Sequence, residues 1–328
     1  MSAPGPARFL GIDLGTTSLK VLAAGEDGRV LAVGSCRQPL ARPRPGWAEQ
    51  APGDWWAALA EALHDLRTHG VSLDALAGIG LTGQMHGLVV LDRHGESLGT
   101  CQTWADRRCH AEARAFERRV GRERLLRIAG SRTYTSATAP KLLWLRRHAP
   151  ERYAATAHVL LPKDYLRWRL TATQATDASD ASGTLLCDVA TRDWSAELLA
   201  ALDLPRALLP PVCEANEIVG RVTPEAARAL GLPVGVPVAA GGGDAQCAAV
   251  GHGLIGADAD AGVGLATLGT AGQFFAVTAT PVVAGDGALQ TLCHAVPGRW
   301  HVMRCILAGG STLEWLAGLF GQAGEGDG

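Results

Sequence analysis

The chain has 328 residues, 47% of them apolar, which is long enough for two domains and apolar enough for a sizeable buried core. Its formal net charge of −2 supplies no global field for nucleic acid or an anionic membrane, so neither is an expected partner. The N-terminus MSAPGPARFLG lacks the apolar region of a signal peptide, and no apolar run reaches the roughly 18 residues of a membrane span. The expected location is therefore cytoplasmic. The eight cysteines are scattered with no C-x-x-C and no zinc spacing, which reads as reduced, mostly buried thiols.

In chain order, residues 8–36 read as three strands, RFLGIDLG, SLKVLAAG and RVLAVGSC, separated by a glycine-threonine turn and by EDGR. APGDWWAALAEALHDLRTHG follows as a helix with Leu59, Leu63 and Leu66 on one face, ending at Gly70. LAGIGLTG and GLVVLD return to strand character. Residues 106–129 and 140–157 are expected to be helical, with Pro140 near a helix start. TDASDASGT (176–184) reads as a polar loop entering a hairpin, and residues 204–223 as a linker or surface loop. VPVAAGGG is a strand, DAQCAAVGHGL a short helix, and GVGLATLGT with GQFFAVTA a further hairpin. RWHVMRCIL is a third strand before the helix STLEWLAGLF. DLGTTS (13–18) and LGTAG (268–272) both join two strands through Gly-Thr within similar modules, an echo that suggests a duplicated architecture.

No P-loop motif occurs. GIGLTG matches G-x-G-x-x-G, but its glycines lie within a strand and no acidic residue ends a second strand about 20 positions on, so a dinucleotide site is discarded. Two Gly-Thr hairpins could each offer backbone N–H groups and a hydroxyl to phosphate oxygens, and Asp13 could hold Mg²⁺ directly or through water. Asp244 follows three glycines at a strand-to-helix junction, where a carboxylate suits a general base, or equally a helix cap. Met85, His86, Trp104 and Asp106 offer the mixture of apolar faces and hydroxyl partners that a sugar needs. The alternatives are a core methionine, a structural histidine and a surface Asp106–arginine pair. Residues 105–132 carry nine arginines against four acids, but with Phe116 as their only aromatic they read as a solvated helical face.

In combination these segments resemble the FGGY carbohydrate kinases, specifically the xylulokinases. The resemblance rests on GIDLGTTSLK, GWAEQAPGDWW, GLTGQMHGLVVLD, TWADRR, LPKDYLRWRLT, TDASDASGT, GGGDAQ, LGTAG and CHAVPGRWHVM, in the family's order over essentially the whole chain. It implies an α/β, actin/ribonuclease H-like ATPase fold, with a complete first domain over 1–253 and a partial second domain over 254–328. It implies a phosphotransferase using ATP and Mg²⁺ on an alcohol group, with Asp13, Gly15, Thr16, Thr17, Gly269 and Thr270 at the phosphates. Asp13 would hold the metal, Asp244 would be the catalytic base at the sugar, and Met85 and His86 would line the ketopentose site. Trp104 and Asp106 would lie in a nearby loop. The implied reaction converts D-xylulose to D-xylulose 5-phosphate. A kinase for a related ketose or alditol, a non-catalytic sugar-binding relative, and an actin- or chaperone-like ATPase are the alternatives.

Two departures from the family stand out. Xylulokinases commonly carry Asn after the catalytic Asp, where this chain has Ala245. Family members also run further, so a truncation that lacks the adenosine-binding segment is expected. A half-finished sheet leaves an open edge and an uncovered apolar face, which is compatible with self-association as a homodimer.

Overall fold

The computed structural model describes residues 7–256, 263–268, 272–285, 287–306 and 310–319. Its main sheet is mixed and is built from β1 (Phe9–Leu14), β2 (Ser18–Ala24), β3 (Val30–Arg37), β4 (Gly78–Gly83), β5 (Ile218–Arg221), β6 (Pro237–Ala239) and β7 (Gly242–Gly243). The strand order is β5-β6-β4-β1-β2-β3, and β7 also pairs with β4. β1, β2 and β3 form an antiparallel meander, whereas β4 runs parallel to β1, β6 and β7. Alternation along the chain decides the faces: Leu10, Ile12 and Leu14 of β1 and Leu19, Val21 and Ala23 of β2 are buried.

The helix Pro52–Thr68 covers that apolar face with Trp55, Leu59, Leu63 and Leu66, and Pro162–Thr171 and Pro224–Leu230 extend the same core. Proline at the first helical position of each removes a donor that would have no partner there. Contact between the first helix and the sheet is unusually close at Gly34. A Cβ at that position would lie 2.2 Å from the Ala62 carbonyl oxygen and 2.5 Å from the Leu66 nitrogen.

A second cluster, around Phe116, Leu125, Leu142, Leu185 and Leu198, sits among the helices of the insertion that follows β4. The expected helix 106–129 is two helices, His110–Val120 and Arg122–Ala129, interrupted at Gly121. The segment 140–157 likewise divides into Thr138–His148 and Pro150–Ala154, because Ala149 precedes a proline and leaves the helical region. Two expectations fail. TDASDASGT is not the polar loop expected: Thr176–Asp177 form a short strand, Ala178–Ser182 a helix, and every residue of the segment is buried. Within 204–223, Ile218–Arg221 is a strand of the main sheet rather than a linker.

A four-stranded antiparallel sheet follows, formed by β8 (Gly264–Leu268), β9 (Gly272–Thr278), β10 (Gln290–Cys293) and β11 (Trp300–Ile306) in the order β8-β9-β11-β10, with a final helix Gly310–Leu319. β10 was not expected from the sequence. Phe275, Val277, Leu292 and Met303 of this sheet share a core with Met85, Ala249 and Leu254. No helix among the described residues is long and apolar enough to cross a membrane.

Gly34→Ala should cost about 1–3 kcal/mol or more in urea unfolding, because the helix backbone cannot yield as a side chain would. A loss within about 0.5 kcal/mol, as for an ordinary surface change, would contradict this packing.

Candidate active site

The site is assembled by strand register. Leu14 of β1 lies level with Gly83 of β4, and Gly83 with Gly243 of β7. The next residues on each strand therefore leave the sheet together: the turn 15–17, the segment Gln84–His86, and Asp244. Thr82 ties β4 to β7 by donating its hydroxyl to the Gly242 carbonyl at 3.0 Å.

Asp13 is half-buried near the end of β1. Burial raises its carboxyl above the usual value, against the pull of Lys20, its partner across β2. The following turn is braced. Thr16 donates its hydroxyl to Gln84 Oε1 at 3.2 Å and accepts from the Trp104 indole N–H at 2.7 Å. Gln50 Nε2 donates to the Thr16 carbonyl at 2.8 Å, and Gln84 Nε2 donates to Gln50 Oε1 at 2.7 Å. The Thr16 hydroxyl is thus taken by protein partners, while Thr17 is exposed at the tip of the turn.

Asp244 opens the helix Asp244–Gly251, with Gly243 as the flanking residue. Its carboxylate accepts from the Ala245 N–H at 2.8 Å. Asp244 is solvent-exposed, yet the protein packed around it pushes its carboxyl up to about 6. The Ala245 N–H opposes that shift and the charge of Asp13 adds to it. The glycines before it are required by space and conformation. Gly241 has φ +80°, and a Cβ there would lie 2.1 Å from the Leu81 carbonyl oxygen. A Cβ at Gly243 would lie 2.6 Å from Gln246 Oε1 and 2.7 Å from Met85 Sδ.

Met85 is buried beside this turn. His86 adopts φ +70°, a left-handed conformation rare outside glycine, and its carbonyl is pinned by Lys141 Nζ at 2.8 Å and the Thr138 hydroxyl at 3.1 Å. Burial and the Lys141 charge push the His86 imidazole down to about 4, so the ring is neutral at pH 7. Its Nδ1 lies 2.9 Å from the Gly183 carbonyl oxygen, which can only accept. The proton is therefore on Nδ1, and Nε2 is an acceptor. Tyr134 donates to the same carbonyl at 3.1 Å and meets the imidazole edge-on.

Asp106 is committed to protein partners. It is fully buried, accepts from the Ala48 N–H at 2.8 Å, and takes several bonds from Arg108, whose guanidinium stacks 3.4 Å from the centroid of Trp47. The expected surface pair is therefore an interior one, and it fixes the loop that presents Trp104. Gly269 and Thr270 lie outside the described residues.

Sequence reasoning did not single out Gln50, Gln84, Tyr134, Ser179 or Gln246. Gln246 is fully buried beside Met85 and Gly243, and neither of its amide atoms has a hydrogen-bond partner among the described residues. It also missed a buried ion cluster. Lys163 Nζ lies 2.7 Å from Asp164, 2.7 Å from Asp177 and 3.3 Å from Asp180, while Arg167 lies 2.9 Å from Asp164, all with no exposed side-chain surface. Burial, with Asp164 and Asp177 alongside, holds Asp180 well above the usual carboxylate range despite Lys163. Burial would raise Asp164 too, but Lys163 and Arg167 bring it lower. With a proton on Asp180, two cations face two carboxylates and the interior charge balances.

No group of three or more metal-ligating side chains occurs among the described residues. Asp13 and Asp244 instead form a pair of acids close enough to repel. Such a pair suits a hard cation that takes its remaining oxygens from a polyphosphate and water.

The sequence model of the N-terminal domain of the FGGY family of carbohydrate kinases matches residues 8–251. The chain belongs to this family. It is 43% identical to the xylulose kinase of Escherichia coli K12 over 313 residues, covering 95% of the chain and 63% of that protein. A glycerol kinase of Alkalilimnicola ehrlichii is 34% identical, with 63% of its length covered. The crystal structure of xylulose kinase from Rhodospirillum rubrum superposes with a TM-score of 0.89 at 32% identity, covering 96% of the chain and 64% of that structure. The chain thus spans under two thirds of the length of these FGGY relatives, and its α/β architecture is that of their actin-like ATPase fold.

Asp177→Asn should destabilise the protein by about 3–5 kcal/mol, because it strips one partner from a buried cation, whereas Asp180→Asn should stay within about 1 kcal/mol. Since folding raises the Asp180 carboxyl above 3.8, the unfolded chain ionises first and this group's contribution to stability falls as pH rises from about 4. Asp180→Asn should remove that slope in chemical denaturation measured across pH. Equal losses in the two variants would contradict the charge balance.

Proposed function

We propose that this chain carries the sugar site and catalytic base of an ATP-dependent ketopentose kinase that converts D-xylulose to D-xylulose 5-phosphate. The reading is carried by Asp244: an exposed acid pushed up to about 6, level with the phosphate-type turn and within reach of the Asp13 charge. The Asp244 carboxylate takes the proton of the sugar's terminal hydroxyl as that oxygen attacks the γ-phosphorus, and the bond to the bridging oxygen of ADP breaks. Asp13 would hold Mg²⁺, directly or through water, and the ion supplies neutralisation of charge on the phosphoryl oxygens. The N–H groups of Gly15, Thr16 and Thr17 and the Thr17 hydroxyl would face the phosphates, and Gly269 and Thr270, outside the described residues, are assigned the same task.

Met85 gives the sugar an apolar wall, His86 Nε2 accepts a hydroxyl, and Trp104 covers the mouth while bracing Thr16. Asp106 acts through Arg108 on the position of Trp104 rather than on the sugar. We divide the chain into a sugar- and base-bearing unit over 1–253 and the start of a second unit over 254–328, in line with the family match over 8–251. A kinase for a related ketose or alditol is the second reading, favoured by Ala245, which removes an amide next to the base and leaves Gln246 as the nearby amide.

The test is ADP release by the 328-residue chain on a panel of ketopentoses, hexuloses and polyols including glycerol. D-xylulose should turn over fastest, and Asp244→Asn should lose roughly 10²–10⁴-fold in kcat. Because the base must be ionised, kcat/KM should fall as pH drops below about 6. Activity surviving Asp244→Asn would remove the proposed base.

A further inference from the structure

The turn Ala240–Gly243 that delivers Asp244 is three-quarters glycine, and glycine loses more backbone freedom on ordering than any other residue. Such a turn holds one geometry only if something outside it grips it. Both of its ends are gripped by the same buried ion cluster. At the first residue, Arg167 Nη1 donates to the Ala240 carbonyl, while Nη2 donates to the Ala175 carbonyl. At the last, the Gly243 N–H donates to Ser179 Oγ at 3.1 Å. The Ser179 hydroxyl in turn donates to Asp177 Oδ2, which also accepts the Ser179 N–H at 2.8 Å, and the other oxygen of Asp177 meets Lys163 Nζ at 2.7 Å. The direction of each bond is fixed: Asp177 accepts the hydroxyl proton, so a Ser179 lone pair is left for Gly243.

We propose that this cluster is a positioning device for the base, with Ser179 and Arg167 as positioning residues that clamp the two ends of the glycine turn. This inference rests on the reading of Asp244 as the base. Five charged side chains without exposed surface are an expensive way to stabilise a core, since apolar residues of similar volume often serve as well. What the cluster supplies that an apolar core cannot is directed hydrogen bonds to a backbone with no side chains of its own to pack. The Asp177 side chain also accepts from the first N–H groups of the helix Ala178–Ser182, so Ser179 is held from two sides. Asp180, the residue after Ser179, lies 3.3 Å from the same Lys163 Nζ and belongs to the same cluster.

The experiment follows the Asp244 carboxyl by ¹³C NMR titration in the 328-residue chain, in wild type, Ser179→Ala and Arg167→Lys, with Asp244→Asn used to assign the resonance. Arg167→Lys keeps the charge but loses the two-armed grip, and it serves if Ser179→Ala does not fold. Releasing either end should let the carboxylate move further out of the surrounding protein and lower its midpoint from about 6 by about half a unit or more. Exchange of the Gly243 amide should quicken about tenfold or more in Ser179→Ala. In ADP release, kcat should fall roughly ten- to a hundredfold with KM within about twofold, as expected for a misplaced group and not for a lost sugar contact. A midpoint, exchange rate and kcat unchanged from wild type in the folded variants would overturn the clamp, and an effect in Arg167→Lys without one in Ser179→Ala would overturn the role of Ser179. Full activity of Asp244→Asn would instead overturn the base, while the titration would still decide whether the cluster holds the turn.

Discussion

One constraint organises this molecule: three parallel strands, β1, β4 and β7, must end at the same level. Leu14, Gly83 and Gly243 share that level, and each strand then releases a different piece of the site. A slip of one residue in any pairing would turn the alternate side chains to the opposite face and separate Asp13 from Asp244. The sheet's core enforces the register, because Leu10, Ile12 and Leu14 on β1 and Ile79 and Leu81 on β4 are buried only in this alignment. The helix Pro52–Thr68, seated on Gly34, then locks the meander beneath. Stability of the fold and alignment of the site are therefore one property.

Charge is handled in two opposite ways within a short distance. Inside, Lys163 and Arg167 are matched to Asp164 and Asp177, and burial with those two acids alongside holds the Asp180 carboxyl well above the usual carboxylate range. At the aligned strand ends the charge of Asp13 adds to the rise of the Asp244 carboxyl, and neither acid is neutralised by a close ion pair among the described residues. An unbalanced pair costs stability and is kept where a ligand will complete it. The neutral His86 follows the same logic. Its left-handed backbone is held by Lys141 and Thr138, so that one ring nitrogen is spent on Gly183 and the other is free to accept.

Much of the fold could be read from local pattern. Alternating apolar residues gave β1 to β3, helical spacing gave Pro52–Thr68, and GGGDAQ marked the strand-to-helix junction at Asp244. The errors arose where composition and burial diverge. TDASDASGT has the residues of a loop, yet its acids answer Lys163 on a neighbouring helix, so it is interior. Charge counting could have found that match, because LPKDYLRWRLT and TDASD carry complementary charges, but only if the two segments were known to meet. The burial of Asp106 was hidden for the same reason: its Arg108 partner is adjacent, but Ala48, which donates to it, and Trp47, on which Arg108 stacks, are distant in sequence. Gln50, Gln84 and Tyr134 have no local signature at all: their roles exist only in hydrogen bonds across the chain.

For the site to work as described, the Asp13 charge must act on the Asp244 carboxyl, and that can be measured without turnover. The most direct measurement is the NMR titration of the Asp244 carboxyl in wild type and in Asp13→Asn. If the two acids share the cleft, removing the Asp13 charge lowers the Asp244 midpoint from its value near 6. A midpoint that does not move, or that sits at the usual carboxylate value in both proteins, would contradict the account.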